Sequence, residues 1–278
     1  MTSILSKKFP TLALESPFKG VLHVILNRPE QLNAINPQMW TDLRECFDTI
    51  RMDGDVNSVV LSANGKLFCS GLDLRVSQVN KDDPEKDIAR NAYYKRYHIL
   101  DLQNAVSSIE KCEKPVICAI NSACIGAGVD IVTACDIRYC SSDTFFSVKE
   151  VDIGMAADVG TLQRLPKVVG NDSWVRELAF TARRAYADEA LQFGLVSKIL
   201  KNKEETVNAA IKLASDIAEK SPVAVVSSKH ILNYSRDHTV QEGLEYCATW
   251  NTLMHNTVDI KEAIGGFLQK RKPTFSKL

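Results

Sequence analysis

Apolar positions fall into short unbroken runs over the first two thirds of the chain and into helical stripes over the last third. Val21-Leu22-His23-Val24-Ile25-Leu26 predicts a buried strand, ended by Asn27-Arg28-Pro29. Asn36-Pro37 supplies an N-cap and a first-turn proline, and Met39, Leu43, Phe47 and Ile50 share one face, so 37–51 reads as an amphipathic helix. Val56–Leu61 reads as a second strand, followed by the turn-rich 62–65 and the small-residue loop Cys69-Ser70-Gly71-Leu72-Asp73. Residues 79–90 are charged, with Pro84 as a breaker, and read as a mobile surface segment leading into a long helix that ends near Lys111. Pro115 opens a strand over 116–120, and Gly126-Ala127-Gly128 starts a short helix running to about Ala134. Strands are expected over 137–140 and 145–148, and Asp158 is expected to open a helix closed by Pro166 or Gly170.

Beyond about Glu204 the texture changes: 204–219, 222–235, 240–255 and 258–270 all carry helical periodicity, with no convincing strand. This places an α/β core over 1–203 and a helical region over 204–278. Ile260, Ile264 and Phe267 form one stripe, which can pack on its own core or on another subunit.

A chain of 278 residues can bury a core without staples. Its 34 lysines and arginines balance 34 aspartates and glutamates, which argues against a protein that lives by gripping nucleic acid or an anionic membrane. The eight cysteines (46, 69, 112, 118, 124, 135, 140, 247) include no C-x-x-C pair and read as reduced, buried thiols. No apolar run approaches the ~18 residues of a membrane span. The N-terminus has basic residues but no apolar segment of a secretory signal, and at most the few basic residues of a weak mitochondrial presequence. The last residues, Ser276-Lys277-Leu278, form a peroxisomal address. The expectation is therefore a peroxisomal protein read by an import receptor, with an additional mitochondrial pool left open.

Gly126-Ala127-Gly128 before a helix aims backbone N–H groups at a common point, which suits an anion or oxyanion, although a plain tight turn explains it equally. It is not a dinucleotide fingerprint, because Ile131 stands where the third glycine would be. Asp130, Glu150 and Asp158 lie in apolar surroundings, where desolvation would raise their proton affinity toward neutral pH and fit them for proton transfer. Each has a plainer explanation: a first-turn acid for Asp130, a surface pair with Lys149 for Glu150, an N-cap for Asp158. The five histidines show no metal or triad pattern, and no metal site is expected.

Taken together, Asn121–Asp130, Ala134–Arg138, Ser70–Leu74 and Ala187–Val196 resemble, in order and spacing, the enoyl-CoA hydratase/isomerase (crotonase) superfamily. The resemblance implies an α/β, crotonase-like spiral of ββα units with a C-terminal helical trimerisation region, assembled as a homotrimer or a dimer of trimers. It implies acyl-CoA substrates held by the loop of Ser70, Gly71, Leu72, Asp73 and Leu74, with the thioester oxygen between the N–H groups of Ser70 and Ala127. Hydratases of the family resemble one another in carrying two glutamates, where this chain has Asp130 and Glu150. Asp158 stands where they usually have glycine. The run Val148–Lys167 looks like the dienoyl-CoA isomerase branch. That branch implies conversion of 3,5-dienoyl-CoA to 2,4-dienoyl-CoA in fatty acid β-oxidation, with Glu150 serving C2, Asp158 serving C6 and Asp130 biasing both. No metal, nucleotide or redox cofactor is expected, coenzyme A being part of the substrate. The alternatives are a 2-enoyl-CoA hydratase or another acyl-CoA isomerase of the same fold, and a non-enzymatic RNA-binding or scaffold member, for which no basic aromatic stripe is visible.

Overall fold

The computed structural model describes residues 3–77 and 82–278; residues 1, 2 and 78–81, the last four including the start of the charged segment at 79, lie outside the described residues. Nine strands are described: β1 (Leu12–Phe18), β2 (Val21–Leu26), β3 (Ser58–Ala63), β4 (Val116–Ile120), β5 (Ala123–Ile125), β6 (Ile137–Ser141), β7 (Phe145–Ser147), β8 (Ala185–Tyr186) and β9 (Lys198–Leu200). They form a six-stranded sheet, β1-β2-β3-β4-β6-β9, and a three-stranded sheet, β5-β7-β8. From β2 to β9 the larger sheet is parallel, with β1 antiparallel at its edge. The chain alternates between the sheets: β4 lies in the large one and β5 in the small one, and β6 and β7 repeat the step. Each step advances the chain by one strand, and the result is a mixed α/β spiral.

Every residue of β2, β3 and β4 is buried, because helices cover both faces of the sheet. Leu22, Val24, Leu26, Val59, Leu61 and Cys118 point into the main core beneath α1 (Pro37–Met52) and α2 (Ile88–Lys111). The alternate positions Val21, Val60, Ile117 and Ala119 face Ala210 and Ala214 of α7 (Lys203–Ala218). The first helix of the expected C-terminal region is thus a covering layer of the sheet, and the chain leaves the core only at Pro222. Beyond it come α8 (Pro222–Ser235), α9 (Val240–Met254) and α10 (Asp259–Leu268), carrying exposed Leu232, Leu244, Leu253, Ile264 and Phe267.

Between the sheets and these helices lie α3 (Ala127–Ala134), α4 (Thr161–Val169), α5 (Asp172–Thr181) and α6 (Ala187–Gln192). The expected helix start at Asp158 is corrected: α4 begins at Thr161, its N-cap is Gly160 at φ 140, Pro166 lies inside it and Gly170 closes it at φ 66. A glycine cap offers no side-chain acceptor, and a residue from another helix supplies one, as described below. Among the described residues no helix is long and apolar enough to cross a membrane. All eight cysteines are unbridged and seven are buried.

Candidate active site

Two glycine turns meet at the floor of one cavity. Gly71 (φ 94) and Gly126 (φ 52) both adopt left-handed backbone, and a Cβ on Gly126 would lie 3.7 Å from the Gly71 Cα. The turns are stitched together. The Ile125 amide donates to the Cys69 carbonyl (3.0 Å), the Cys69 amide to Ala123 (3.1 Å) and the Gly126 amide to Ser147 (2.9 Å). On its other side the first turn is held by Ile35, whose amide donates to the Gly71 carbonyl (2.8 Å), while the Asp73 amide donates to the Ile35 carbonyl (3.0 Å). Space here is short: a Cβ on Gly128 would sit 2.9 Å from the Cys69 Cβ and 3.2 Å from the Cys124 Sγ.

This stitching corrects one expected donor. The Ser70 amide is already given to the Leu32 carbonyl at 3.1 Å. The N–H groups of Leu72 and of Ala127, the first residue of α3, have no acceptor among the described residues. Each directly follows a positive-φ glycine, which turns the peptide so that its N–H leaves the ladder. Sequence position alone cannot tell residue 70 from residue 72; the hydrogen-bond pattern can. Asp73 is corrected as well. It is buried, but its carboxylate pairs with Arg28 at 3.1 Å instead of lining the cavity.

The cavity has a volume of about 220 Å³ and a mainly apolar wall that includes Trp40, Leu72, Ile99, Leu102, Met155 and Val159. Ser70, Gly71, Leu74 and Ala127 line it, and so do all three expected acids, Asp130, Glu150 and Asp158. Asp130 comes from the first turn of α3 and is 1% exposed. Its Oδ1 accepts from the Thr161 amide at 2.5 Å and so caps α4 from outside. Its Oδ2 is buried with no partner among the described residues. Glu150 follows β7 at the start of a short 3₁₀ turn; its Oε2 is also buried without a partner among the described residues, and its Oε1 would lie 3.1 Å from a Cβ on Gly126. Asp158 sits half-buried in the loop before α4, its carbonyl held by Gln103 Nε2 at 2.7 Å. His98 and Lys95 on α2, and Lys149, also line the cavity. His98 is not among the expected site residues, because a lone histidine in a long helix carries no sequence signal of a site.

Burial dominates the electrostatics. It pushes Asp130 up to about 6, aided by the charge of Asp158 and opposed by hydrogen bonding from Thr161. Burial and then the Asp130 charge push Glu150 up to about 7. Asp158 is raised by burial too, with His98 pulling it back. Three coupled acids with elevated proton affinity, around one apolar cavity and beside two unengaged amides, can take up and release protons near neutral pH. Among the described residues no group of three or more His, Cys, Asp or Glu side chains is arranged to hold a metal ion.

A family model described as enoyl-CoA hydratase/isomerase matches residues 18–277. The chain is 53% identical over 274 residues to the mitochondrial Delta(3,5)-Delta(2,4)-dienoyl-CoA isomerase of Rattus norvegicus, covering 97% of this chain and 84% of that protein. It is 46% identical over 261 residues to the peroxisomal Delta(3,5)-Delta(2,4)-dienoyl-CoA isomerase of Arabidopsis thaliana, covering 93% and 94%. Among solved structures, the enoyl-CoA hydratase of Bacillus anthracis superposes with a TM-score of 0.86 at 25% identity, over 96% of this chain and 99% of that one. With matches spanning nearly the whole chain, and with the two turns and their acids assembled in one cavity, the protein belongs to the enoyl-CoA hydratase/isomerase family.

Proposed function

We propose that the protein isomerises 3,5-dienoyl-CoA to the conjugated 2,4-dienoyl-CoA. The observation that carries this reading is the third acid: Asp158 shares an apolar cavity with Glu150 and Asp130. Hydration at one double bond gives no work to a third acid, whereas a proton move from C2 to C6 needs a second proton site. The relatives named as dienoyl-CoA isomerases support the same reading.

In this mechanism Glu150 takes the C2 proton, and charge spreads through the diene onto the thioester oxygen. The Leu72 and Ala127 N–H groups hold that oxygen. Asp158 delivers a proton to C6 as the double bonds shift, so one C–H bond breaks, one forms and no electrons are lost or gained. No cofactor is needed, coenzyme A being part of the substrate. The starting state needs Glu150 ionised and Asp158 protonated. In the free site the proton favours Glu150, which is raised to about 7. An acyl chain laid over half-buried Asp158 removes its remaining water, raises its proton affinity and shifts the proton toward it. Asp130 serves as the fixed negative neighbour that keeps Glu150 a strong enough base.

The exposed apolar residues of α8 to α10 support assembly as a homotrimer or a dimer of trimers. Ser276-Lys277-Leu278 and the peroxisomal relative support a peroxisomal location reached through an import receptor; the mitochondrial relatives support an additional mitochondrial pool. Lys277 pairs with Asp55 and Leu278 remains about half exposed. An exposed pair of this kind holds the tail by about 1 kcal/mol or less, so a receptor displaces it easily.

The test is a spectrophotometric assay with 3,5-dienoyl-CoA, watching the conjugated product appear, run beside hydration of a 2-enoyl-CoA. Isomerisation should dominate. Faster hydration than isomerisation would overturn the reading in favour of a hydratase.

A further inference from the structure

Behind Asp130 lies a line of charges that the reaction itself does not use. Arg164, on the first turns of α4, runs back over Gly160, where any Cβ would collide with its Nη1. The Asp130 Oδ1 is only 4.0 Å from that same Cβ point. The guanidinium therefore lies close behind the buried carboxylate. It does not pair with it. Its Nη2 donates to Glu110 Oε2 (3.0 Å) and Ser107 Oγ (2.9 Å), and its Nε donates to the same Glu110 oxygen at 3.2 Å, all on α2. The other Glu110 oxygen accepts from Arg236, just past α8. The side chains of Arg164 and Glu110 are 11% and 17% exposed, so solvent screens this chain of charges poorly.

We propose that Glu110 and Arg164 are positioning residues for Asp130: Glu110 draws the guanidinium back across Gly160, so that the Asp130 carboxylate stays on the α4 amide with its second oxygen open to the cavity. The groups facing Asp130 are then Glu150 and Asp158 from the cavity side, the buried thiols of Cys69 and of Cys124 on β5, and the α4 N-terminus with Arg164 from behind. The groups facing Glu110 are Arg164 and Arg236, and Arg236 also approaches Asp237 at 3.5 Å. The two guanidiniums outweigh burial and keep Glu110 below its ordinary range, so it is ionised throughout the working pH span. Its charge cancels much of the field that Arg164 would otherwise exert on Asp130. Through Arg236 the line reaches the helices outside the core, which ties the acid pair to the packing of α8.

The inference has one arm that rests on the isomerase reading and one that does not. In Glu110→Gln the Arg164 charge falls on Asp130, Asp130 ionises at lower pH, and its charge holds the proton on Glu150 to higher pH. With 3,5-dienoyl-CoA, kcat/KM at about pH 6.5 should fall roughly threefold as the lower limb of the pH profile moves up. Glu110→Asp should stay near wild type, and Glu110→Gln should have no further effect in an Arg164→Met background. The independent arm is an infrared titration of the buried carboxyl groups, with the Asp130 band assigned by its loss in Asp130→Asn. That band should titrate at lower pH in Glu110→Gln and at higher pH in Arg164→Met. A band that stays in place in both variants, or a Glu110→Gln effect undiminished without Arg164, would overturn the inference. Should Glu110→Gln not fold, Arg164→Met alone decides by the same band. If the wild type fails to isomerise the diene while the bands move as described, the function falls and this inference stands.

Discussion

The two ends of the cavity hold the same chemical group in different settings. At the inner end Asp130 is almost fully buried, capped onto α4 and backed by Arg164, while Glu150 stands against Gly126 with one oxygen unpaired. At the outer end Asp158 is half-buried in a loop beside His98 and keeps contact with water. Nothing in the residue types separates these acids. What separates them is how much water each retains and which charge stands next to it, and that difference lets one acid hold a proton while another lacks it.

The comparison can be broken most severely at its two working members. Glu150→Gln and Asp158→Asn should each lower kcat by about 10²–10⁴-fold with little change in KM, and the double variant should lose little more, because both protons belong to one event. Retention of most activity by either single variant would show that one end suffices. A smaller loss, about 10–100-fold, is expected for Gly126→Ala. Its Cβ would press on Glu150 Oε1 at 3.1 Å and the backbone would be strained at φ 52, whereas Gly154→Ala, also at positive φ but with open space around it, should cost stability more than rate. Steady-state kinetics and melting curves on the pair would show whether it is the position of Glu150 that matters.

Asp130→Asn sharpens the inner end. Its Oδ1 can still accept from the Thr161 amide, but the charge that raises Glu150 is gone. The lower limb of the kcat/KM profile should move to lower pH, a few-fold effect near pH 6. The smallest effect is on stability. Burial raises Glu150 from its ordinary 4.5 to about 7, so between those values the folded protein holds a proton that the unfolded chain has released, and stability is lost as pH rises through the window. Glu150→Gln should therefore raise Tm by about 2–4 °C near pH 8 and give no gain near pH 4. A destabilised variant at pH 8 would mean that Glu150 is better solvated than the geometry shows.

Much of this was legible in the sequence, and the errors share a cause. Strands β2 and β4 and helices α1 and α8 announce themselves through local patterns: unbroken apolar runs, or an N-cap followed by proline. The three acids stood out by their apolar neighbours. What sequence could not supply was the partner of a backbone group. The Leu32 carbonyl occupies the Ser70 amide, while the Leu72 amide has no acceptor among the described residues. Asp130, 31 positions away, caps α4 and leaves Asp158 free of that task. Asp73 turns to Arg28 for the same reason: a contact far off in sequence decides where its side chain goes. Helix α7 follows the C-terminal periodicity but packs on the sheet, because Ala210 and Ala214 fit against Val60 and Ile117.

The tight seat of Gly128 on Cys69 and Cys124 carries a consequence for chemical durability. Thiols are among the most easily oxidised side chains, and two of them underlie the turns that shape this cavity. Burial pushes Cys69 up to about 12 and Cys124 well above its ordinary value, so neither offers a thiolate to a peroxide. An oxygen added to either sulfur would need the room that α3 has already taken. The floor is thus built from oxidisable material kept inert by lack of charge and lack of space.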